Sequence, residues 1–341
     1  MRDSGVVRPP NPLPPELVGG VFTRSQARDL GVSSDRLRAR DIQRIAHATY
    51  RHQPLTVGAG PGEEGPRPAA SQATDPGHVE LLRALCTRSA VVRVSHITAA
   101  VLHGVALPRR WTEDHTLHLL GRSSSHGSSA DPRVRVHRVS AVPECSYRLH
   151  GVPVSPPEEL FVELARYLRV PELVVVGDQL VRRPRSGLET RAAAWTTLQE
   201  LGDSVGRGRG RLGILRAREA LRMVRVGADS PPETLLRLAL MEAGLPEPQL
   251  QVPLEAADPY SPVGDAGYRD HRLVIQYEGE HHFTPEQQAR DQRRNAQFEA
   301  AGWTVMLANR VDLRENFRGL VSRVKRHLAA PRSSSPGTPR L

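Results

Sequence analysis

The polypeptide reads LVIQYEGEHH over residues 273–282, and this stretch decides the fold of the C-terminal part of the chain. It begins as an apolar run, becomes acidic at Glu278, turns at Gly279 and ends in two histidines. Such a pattern is typical of a buried β-strand that presents polar side chains at its C-terminal end. We therefore expect the end of this strand to lie at the centre of a functional site.

The residues on either side of this strand predict the element order α-β-β-β-α-β-α. Ser230 and the two prolines after it mark the start of a helix that carries Glu233 in its first turn. Strands are predicted at 249–254, 263–268, 272–278 and 303–308, with a helix from residue 284 or 291 to 301 and a closing amphipathic helix at 313–328. The short turn at 269–271 predicts antiparallel pairing of the strands that flank it. This pairing would bring Asp265 beside Gln276 and Glu278.

These side chains suit metal-dependent chemistry on phosphate. Hydrolysis of a phosphodiester is helped by a hard divalent cation that polarises the phosphoryl oxygen, and Mg²⁺ prefers carboxylate oxygens. Residues two apart on a strand point to the same face, so Gln276 and Glu278 share a face. The candidate catalytic residues are Asp265, Gln276, Glu278, His281, His282 and Glu233, with Asp265 and Glu278 as metal ligands and Mg²⁺ as the expected cofactor. Alternatively, the acids are solvated strand ends and the histidines belong to a surface turn.

The order of these residues resembles the restriction-endonuclease-like PD-(D/E)XK superfamily, and within it the DUF559 group related to very-short-patch-repair endonucleases. The similarity covers about the last 100 residues, less than a third of the chain. The resemblance matches a helix acid to Glu233, a strand aspartate to Asp265, an E-x-D-G-x-x-H run to residues 276–282, an R-D-x-x-R motif to residues 290–294 and a G-W-x-V motif to residues 302–305. It implies a DNA endonuclease fold with a magnesium site.

The sequence departs from that family at two positions of the site. Gln276 stands where the family usually places a carboxylate, and a neutral amide oxygen is a poorer Mg²⁺ ligand. Glu278 replaces an aspartate, which moves the carboxylate oxygens by roughly 1 Å, enough to loosen a site whose geometry must be tight. The single lysine, Lys325, lies far from the family's lysine position, although the very-short-patch type also lacks that lysine. The sequence therefore leaves open an active nuclease or an inactive one that still binds DNA.

The beginning of the chain predicts a DNA-binding module. Thr23 can cap a short helix that ends at Gly31, Ser33 or Ser34 can cap a second helix carrying Leu37, and residues 42–50 read as an extended wing. This opening resembles the winged helix at the N-terminus of AbiEi-type antitoxins, in which the second helix can enter the major groove. The alternative is a small packing module without DNA contact.

The charge of the chain favours an anionic partner, with DNA as the leading candidate. The formal net charge is +10 and the isoelectric point is about 10.6. Arg290 and Arg294 lie one helical turn apart and are predicted to clamp phosphate, or to pair with Asp291 or Glu278. The other arginines predicted to bind DNA are Arg36, Arg38, Arg207 and Arg209. The connection around Arg207 and Arg209 is alternatively a solvated linker.

Length and composition predict an α/β protein of the α+β multi-domain type in a reducing, cytoplasmic setting. Two distant cysteines indicate no disulfide framework, no apolar run is long enough to span a bilayer, and the start of the sequence lacks the pattern of a signal peptide. The predicted regions are a disordered tail (1–16), a winged-helix-like module (17–56), a linker (57–78), an α+β middle domain (79–182), an Arg-rich connection and helix (183–228), a restriction-endonuclease-like domain (229–330) and a disordered tail (331–341).

The leading functional hypothesis is a DNA-associated, magnesium-dependent endonuclease. The alternatives are a non-catalytic DNA-binding regulator of antitoxin type, built on a degenerate nuclease fold, and a protein-interaction adaptor. The sequence leaves the oligomeric state undetermined.

Overall fold

The computed structural model describes residues 11–46, 48–52, 76–87, 91–122, 133–139, 147–185, 189, 191–279 and 285–330. These residues form a mixed α/β structure, as the sequence predicted. The chain divides into two compact units. The N-terminal unit comprises Met1–Tyr167 and Gly208–Gly213, and the C-terminal unit comprises Leu168–Arg207 and Ile214–Leu341.

The N-terminal unit begins with a small sheet in the order β1-β3-β2. Its elements are β1 (Val21–Thr23), α1 (Arg24–Asp29), β2 (Ile42–Ala46) and β3 (Thr49–His52). Thr23 caps α1 by accepting a hydrogen bond from the Gln26 amide, as predicted. The predicted second helix is absent from the described residues here, where a single 3-10 turn at Arg36–Arg38 takes its place. The turn stays short because the Arg36 guanidinium is bound to Asp41, only five residues further along the chain.

The core of this module includes a residue from the range predicted to be a disordered tail. Leu13 is 8% exposed, because it packs with other apolar side chains of the module. Its partners are Leu17, Phe22, Ala27, Leu37 and Ile42. Proline-rich composition alone therefore misplaced the start of the folded region, since one well-placed leucine is enough to dock residues 11–16.

The rest of the N-terminal unit is an α+β arrangement around a three-stranded sheet in the order β4-β5-β6. Its elements are α2 (Pro76–Cys86), β4 (Val91–Val94), α3 (His96–Leu102), α4 (Arg109–Thr112), β5 (Leu117–Arg122), β6 (Val134–Val139), β7 (Arg148–Leu149), β8 (Val152–Pro153) and α5 (Pro157–Leu164). Strand β4 has the sequence Val-Val-Arg-Val, in which three β-branched residues favour a strand. Strands β5 and β6 are parallel, with Leu120 opposite His137.

The C-terminal unit contains a four-stranded sheet in the order β12-β11-β10-β9, in which β11 and β12 are parallel and the other pairs are antiparallel. Its elements are α6 (Val170–Val181), α7 (Leu198–Arg207), α8 (Ile214–Met223), α9 (Pro231–Glu242), β9 (Gln249–Pro253), β10 (Val263–Tyr268), β11 (Leu273–Tyr277), α10 (Pro285–Ala300), β12 (Thr304–Ala308), α11 (Arg310–Arg314) and α12 (Arg318–Ala329). From α9 onward the predicted element order is confirmed. The closing helix, however, is split in two, because Asn316 and Phe317 adopt left-handed backbone conformations.

The alternation of Trp303, Val305 and Leu307 predicts that these residues of the last strand belong to the core, but β12 presents its other face to the core around Ile275. Met306 and Ala308 pack on the cluster that contains Ile275, whereas Leu307 is 40% exposed. The parallel register explains the difference, because Ile275 lies opposite Met306 and register partners point to the same side of a sheet. The prediction that Leu307 belongs to the core was therefore wrong.

The helical patterns of residues 158–168 and 171–181 predict solvated faces or local arginine pairs for Glu163 and Asp178, but both acids are buried and paired with distant arginines. Asp178 on α6 is fully buried against Arg237 on α9, and Glu163 on α5 is buried near Arg93 on β4. Both partners are distant in sequence, so the pairs hold separate elements together. None of the helices formed by the described residues combines the length and apolar character needed to cross a membrane.

Candidate functional site

The C-terminal unit carries a cleft of about 460 Å³ that we call the carboxylate cleft. The acidic side chains that line it are Glu233, Asp265, Glu278 and Asp291, the amide side chains are Gln276, Gln288, Gln292 and Asn295, and the arginines are Arg185, Arg290 and Arg294. Four of the six predicted catalytic residues thus lie at one cleft. The other two, His281 and His282, fall outside the described residues, so their predicted role stays a prediction.

Glu233 is fixed by the N-terminus of its own helix. Its carboxylate accepts a hydrogen bond of 2.8 Å from the Asp229 amide and one of 2.7 Å from the Ser230 hydroxyl. These bonds satisfy the Asp229 amide and the Ser230 hydroxyl at the start of α9. They also hold the Glu233 carboxylate in a buried position, where only 4% of the residue is exposed. The Ser-Pro-Pro-Glu sequence therefore both starts the helix and positions the acid.

Asp265 lies on β10 and is tied to the neighbouring strand. Its Oδ2 accepts a hydrogen bond of 2.7 Å from the amide of Tyr277 on β11. The two strands can approach here because residue 264 is glycine. A Cβ at Gly264 would lie 1.9 Å from Cγ2 of Val274, which no side chain could tolerate without a shift of the strands. The glycine thus allows β10 to place Asp265 beside β11.

The two buried acids have unusual proton affinities. Burial, followed by the nearby Asp265 carboxylate, raises the pKa of Glu233 to about 7. Burial also raises the pKa of Asp265, although the Tyr277 amide and the guanidinium groups of Arg294 and Arg185 oppose the rise. Because burial and like charge both disfavour ionisation, Glu233 retains its proton up to near neutral pH beside Asp265. Such a pair is typical of metal and acid-base sites.

Gln276 is the most buried polar residue of the cleft, with 1% of its surface exposed. Neither its amide nitrogen nor its amide oxygen has a hydrogen-bond partner among the described residues. A buried amide without a partner costs roughly 1–3 kcal/mol. Nε of Arg294 and Oδ1 of Asn295, in two other residues that line this cleft, are also buried without a hydrogen-bond partner among the described residues. Several polar atoms thus face this region with unused hydrogen-bonding capacity.

The exposed side of the cleft is formed by Glu278 and by arginines. Glu278 directly follows β11 and is exposed, whereas Gln276 two residues earlier is buried. Arg294 is paired with Asp291 at 3.1 Å, the local pairing that the sequence left open. Arg185 donates to Asp229 at 2.8 Å and keeps about half of its side chain exposed. Positive charge therefore lines the region around the acids.

Sequence reasoning missed three contributors to the cleft: Arg185, Asp229 and Asn295. Arg185 and Asp229 lie before α9, outside the family-like motifs, and only the folded chain brings Arg185 near Asp265. Asn295 follows Arg294 on α10 and could have been found from its place one residue beyond the R-D-x-x-R motif. The three residues add a positive charge, an acceptor for it and an unpaired amide oxygen.

The arginines predicted to bind DNA occupy different environments. Arg36 is bound to Asp41 by two hydrogen bonds, and its side chain is 9% exposed, so this guanidinium stabilises a turn. Arg38 is 78% exposed and contacts Asp35 at 3.2 Å. Arg207 and Arg209 are exposed. Of the pair at residues 36 and 38, Arg38 is the one accessible to phosphate.

Comparisons with other proteins leave the activity of this chain unassigned. No protein-family model matches the chain. It is 32% identical over 182 residues to two uncharacterized proteins of Mycobacterium tuberculosis, Rv2248 of strain H37Rv and MT2308 of strain CDC 1551. The match covers 53% of this chain and 64% of each relative, so the chain spans less than two thirds of the length of those relatives. Since both relatives are uncharacterized, they suggest no substrate or partner.

Proposed function

We propose that the C-terminal unit is a restriction-endonuclease-like domain that hydrolyses a DNA phosphodiester with the help of a divalent cation. The observation that carries the proposal is the group of Glu233, Asp265 and Gln276, which are buried together at an open cleft with arginines around them. The order of α9, β9, β10, β11, α10 and β12 supports it, because the resemblance to the PD-(D/E)XK superfamily implies that order.

The residues of the carboxylate cleft fit the magnesium ion that this resemblance implies. Two buried carboxylates with raised pKa values repel one another when both are ionised, and a divalent cation would remove that repulsion. Asp265 and Glu278 would hold the ion, with Glu233 or Gln276 as a further oxygen donor. When bound, Mg²⁺ would supply Lewis-acid polarisation of a phosphoryl oxygen.

The other groups of the cleft would bind and orient the substrate. Arg290 and Arg294 line the cleft and offer guanidinium groups, which bind phosphate oxygens in a fixed geometry. Arg185 adds positive charge from outside the motif region. The buried carboxylate pair can take up or release a proton near neutral pH, which suits transfer to or from water. The predicted acid-base role of His281 and His282 belongs to the same proposal.

Cleavage of supercoiled plasmid DNA tests the proposal. We expect the full chain to nick or linearise plasmid in Mg²⁺, and we expect D265N to lower the rate by about 10³-fold or more, since metal polarisation supplies several kcal/mol of transition-state stabilisation. The exposed Asp203 on α7 offers a matched control, and D203N should cleave at the rate of the natural chain. Cleavage that persists unchanged in D265N would reject the proposed site.

A second function, DNA binding without cleavage, is favoured by Gln276. This neutral residue occupies a position at which the superfamily usually has a carboxylate, so the domain would be an inactive nuclease fold in a regulator of antitoxin type. A mobility-shift assay separates the two functions. Binding that weakens steeply with salt and is reduced in R38A, without cleavage in Mg²⁺, would support the regulator. Cleavage dependent on Asp265 would exclude it.

The raised pKa of Glu233 predicts how stability changes with pH. The folded protein holds this proton more tightly than the unfolded chain does. The stabilisation is therefore complete below the ordinary value of 4.5 and is lost as pH rises towards 7, by up to about 3 kcal/mol. Unfolding by denaturant at pH 4.5–8 should show this loss in the natural chain and a smaller one in E233Q. Mg²⁺ should restore stability mainly at pH 8, where the pair is ionised. Identical pH profiles for the two proteins would contradict the assignment.

A further inference from the structure

Three histidines from separate elements of the N-terminal unit meet in a cluster that we call the histidine triad. His96 begins α3, His118 lies on β5 and His137 lies on β6. The parallel register places His118 and His137 on the same face of the sheet, because Leu120, two residues after His118, lies opposite His137. One ring nitrogen from each histidine lies within 4.8 Å of the others.

We propose that His96, His118 and His137 bind a transition-metal ion of the zinc class, and that the fourth coordination position opens onto an adjoining cleft. Three imidazoles with an open fourth position are an established arrangement for catalytic zinc. Imidazole nitrogen also selects against Mg²⁺, which prefers oxygen. The triad therefore differs in ligand chemistry from the carboxylate cleft.

The spacing of the nitrogens suits a single ion. Two ligands at about 2.0–2.1 Å from a tetrahedral zinc ion lie about 3.3 Å apart. Nδ1 of His118 and Nε2 of His137 are 3.0 Å apart. The rings of His96 and His137 are stacked, with centroids 3.8 Å apart. A small increase in the distance between the His118 and His137 nitrogens, with a small movement of the His96 ring towards them, would bring all three nitrogens to ligand distance.

All three imidazoles are in the protonation state that a metal requires. Burial is the first cause in each case, and it lowers the pKa of His96 to about 3, that of His118 to about 4 and that of His137 to about 3. Neutral imidazole has a lone pair on one ring nitrogen, and imidazolium has none.

His96 is held in an uncommon conformation by the residues around it. Its φ of 49° lies in the left-handed region, which is costly for a residue with a side chain. Its amide donates to Oε2 of Glu163 at 2.9 Å, and Oε1 of the same carboxylate accepts from Ser155 at 2.9 Å. Nδ1 of His96 lies 2.9 Å from the Ser95 hydroxyl. A proton on Nδ1 would donate to that hydroxyl and leave Nε2 for a metal, which is the usual outer-shell arrangement of metal-binding histidines.

A cleft of about 220 Å³ gives access to the triad. His96 and His137 line it, together with Arg138, Arg166 and Arg211. The arginine charges disfavour a bare cation, so the cleft suits an anion, such as hydroxide, as the fourth ligand. The negative charge of the buried Glu163 near His96 favours a cation at the triad and so opposes the effect of the arginines.

A tyrosine beside the triad also has an unused polar group. The edge of the Tyr167 ring packs against all three imidazoles, with ring centroids 5.3–6.2 Å apart. Its hydroxyl is buried and has no hydrogen-bond partner among the described residues. Buried hydroxyls are normally hydrogen-bonded.

Titration of the metal-free full chain with Co²⁺ and Zn²⁺ tests the proposal. We expect one Zn²⁺ per chain in calorimetry and the visible absorption of tetrahedral Co²⁺. H137Q and H118N should each weaken binding by at least about 100-fold, since loss of an outer-shell partner alone costs 10–100-fold. His103 is equally buried but contacts the Ser155 carbonyl instead of the triad, so H103Q serves as the matched control and should bind normally.

The opposite results would overturn the proposal. Absence of Zn²⁺ binding by the folded natural chain would show that the triad is a packed cluster of neutral histidines. Binding of unchanged strength in H137Q and H118N would place the metal elsewhere. If either variant fails to fold, X-ray absorption of the Zn²⁺-loaded natural chain decides the question, since three imidazole ligands support the site and fewer reject it.

Discussion

Replacement of Arg237 by methionine is expected to lower the free energy of unfolding by about 3–5 kcal/mol, the cost of removing one partner of a buried ion pair. Arg237 on α9 and Asp178 on α6 both have fully buried side chains, and Nη2 of the arginine donates to Oδ2 of the aspartate at 2.8 Å. Asp178 also accepts from the Arg225 amide at 2.7 Å and from the Thr234 hydroxyl at 2.9 Å. Without Arg237, a buried carboxylate would keep two neutral donors and lose its counterion.

Denaturant unfolding of R237M and two comparison proteins measures this effect. The double variant R237M/D178L should recover much of the loss, because it removes the uncompensated charge together with its partner. R169M breaks a pair whose arginine is 78% exposed, so it should cost less than about 1 kcal/mol. Burial already raises the pKa of Asp178 against the opposing charge of Arg237, so the defect of R237M should shrink in acid, where the carboxyl takes up a proton. A loss in R237M no larger than in R169M would contradict the expected energetics.

The sheet of the C-terminal unit could be predicted because its signals are local. Residues 263–268 and 273–277 are short strand-forming segments separated by a turn, and the structure forms an antiparallel pair from them. The Ser-Pro-Pro-Glu start of α9 and the glycine after α10 are equally local. Gly302 has a φ of 77°, the left-handed conformation that ends a helix. Placing Glu233 and Asp265 at one cleft required only these elements and their order.

Burial of charge could not be predicted in the same way, because it depends on distant partners. Asp178 lies 59 residues before its partner Arg237, on a different helix. Glu163 has a helical pattern consistent with a solvated face, yet it accepts hydrogen bonds from the His96 amide and from Ser155. The pattern of one helix shows which residues share a face, but not which element covers that face.

The histidine triad was invisible for a related reason. His96 drew notice in the sequence beside His103, because the two are close along the chain. In the structure, His103 contacts the Ser155 carbonyl and the ring of Tyr147, and the neighbours of His96 come from β5 and β6 instead. The spacing of the three residues resembles no short metal motif, since parallel pairing of two strands creates the juxtaposition.

Gln276 decides whether the carboxylate cleft is an enzyme site, and we expect Q276E to have two large and opposite effects. In the absence of metal, a third buried carboxylate beside Glu233 and Asp265 should destabilise the chain by about 2–4 kcal/mol at pH 8, because burial and like charge both oppose ionisation. In Mg²⁺, the added charge should tighten metal binding and raise plasmid cleavage by at least about 10-fold, since charged oxygen is the better ligand. Thermal unfolding with and without Mg²⁺, together with the plasmid assay, measures both effects.

Q276M provides the control for that experiment, because it keeps the size of the side chain and removes the amide. The amide has no partner among the described residues, so its removal should stabilise the metal-free chain by about 1–3 kcal/mol. A stabilised Q276M with no Mg²⁺ response would show that natural Gln276 is kept at a cost to stability, as expected of a group that serves binding. If Q276E gains cleavage that the natural chain lacks, the natural protein is the DNA-binding form of a nuclease fold. If Q276E and the natural chain respond to Mg²⁺ equally, residue 276 is not a ligand, and the metal site assigned to Asp265 and Glu278 must function without it.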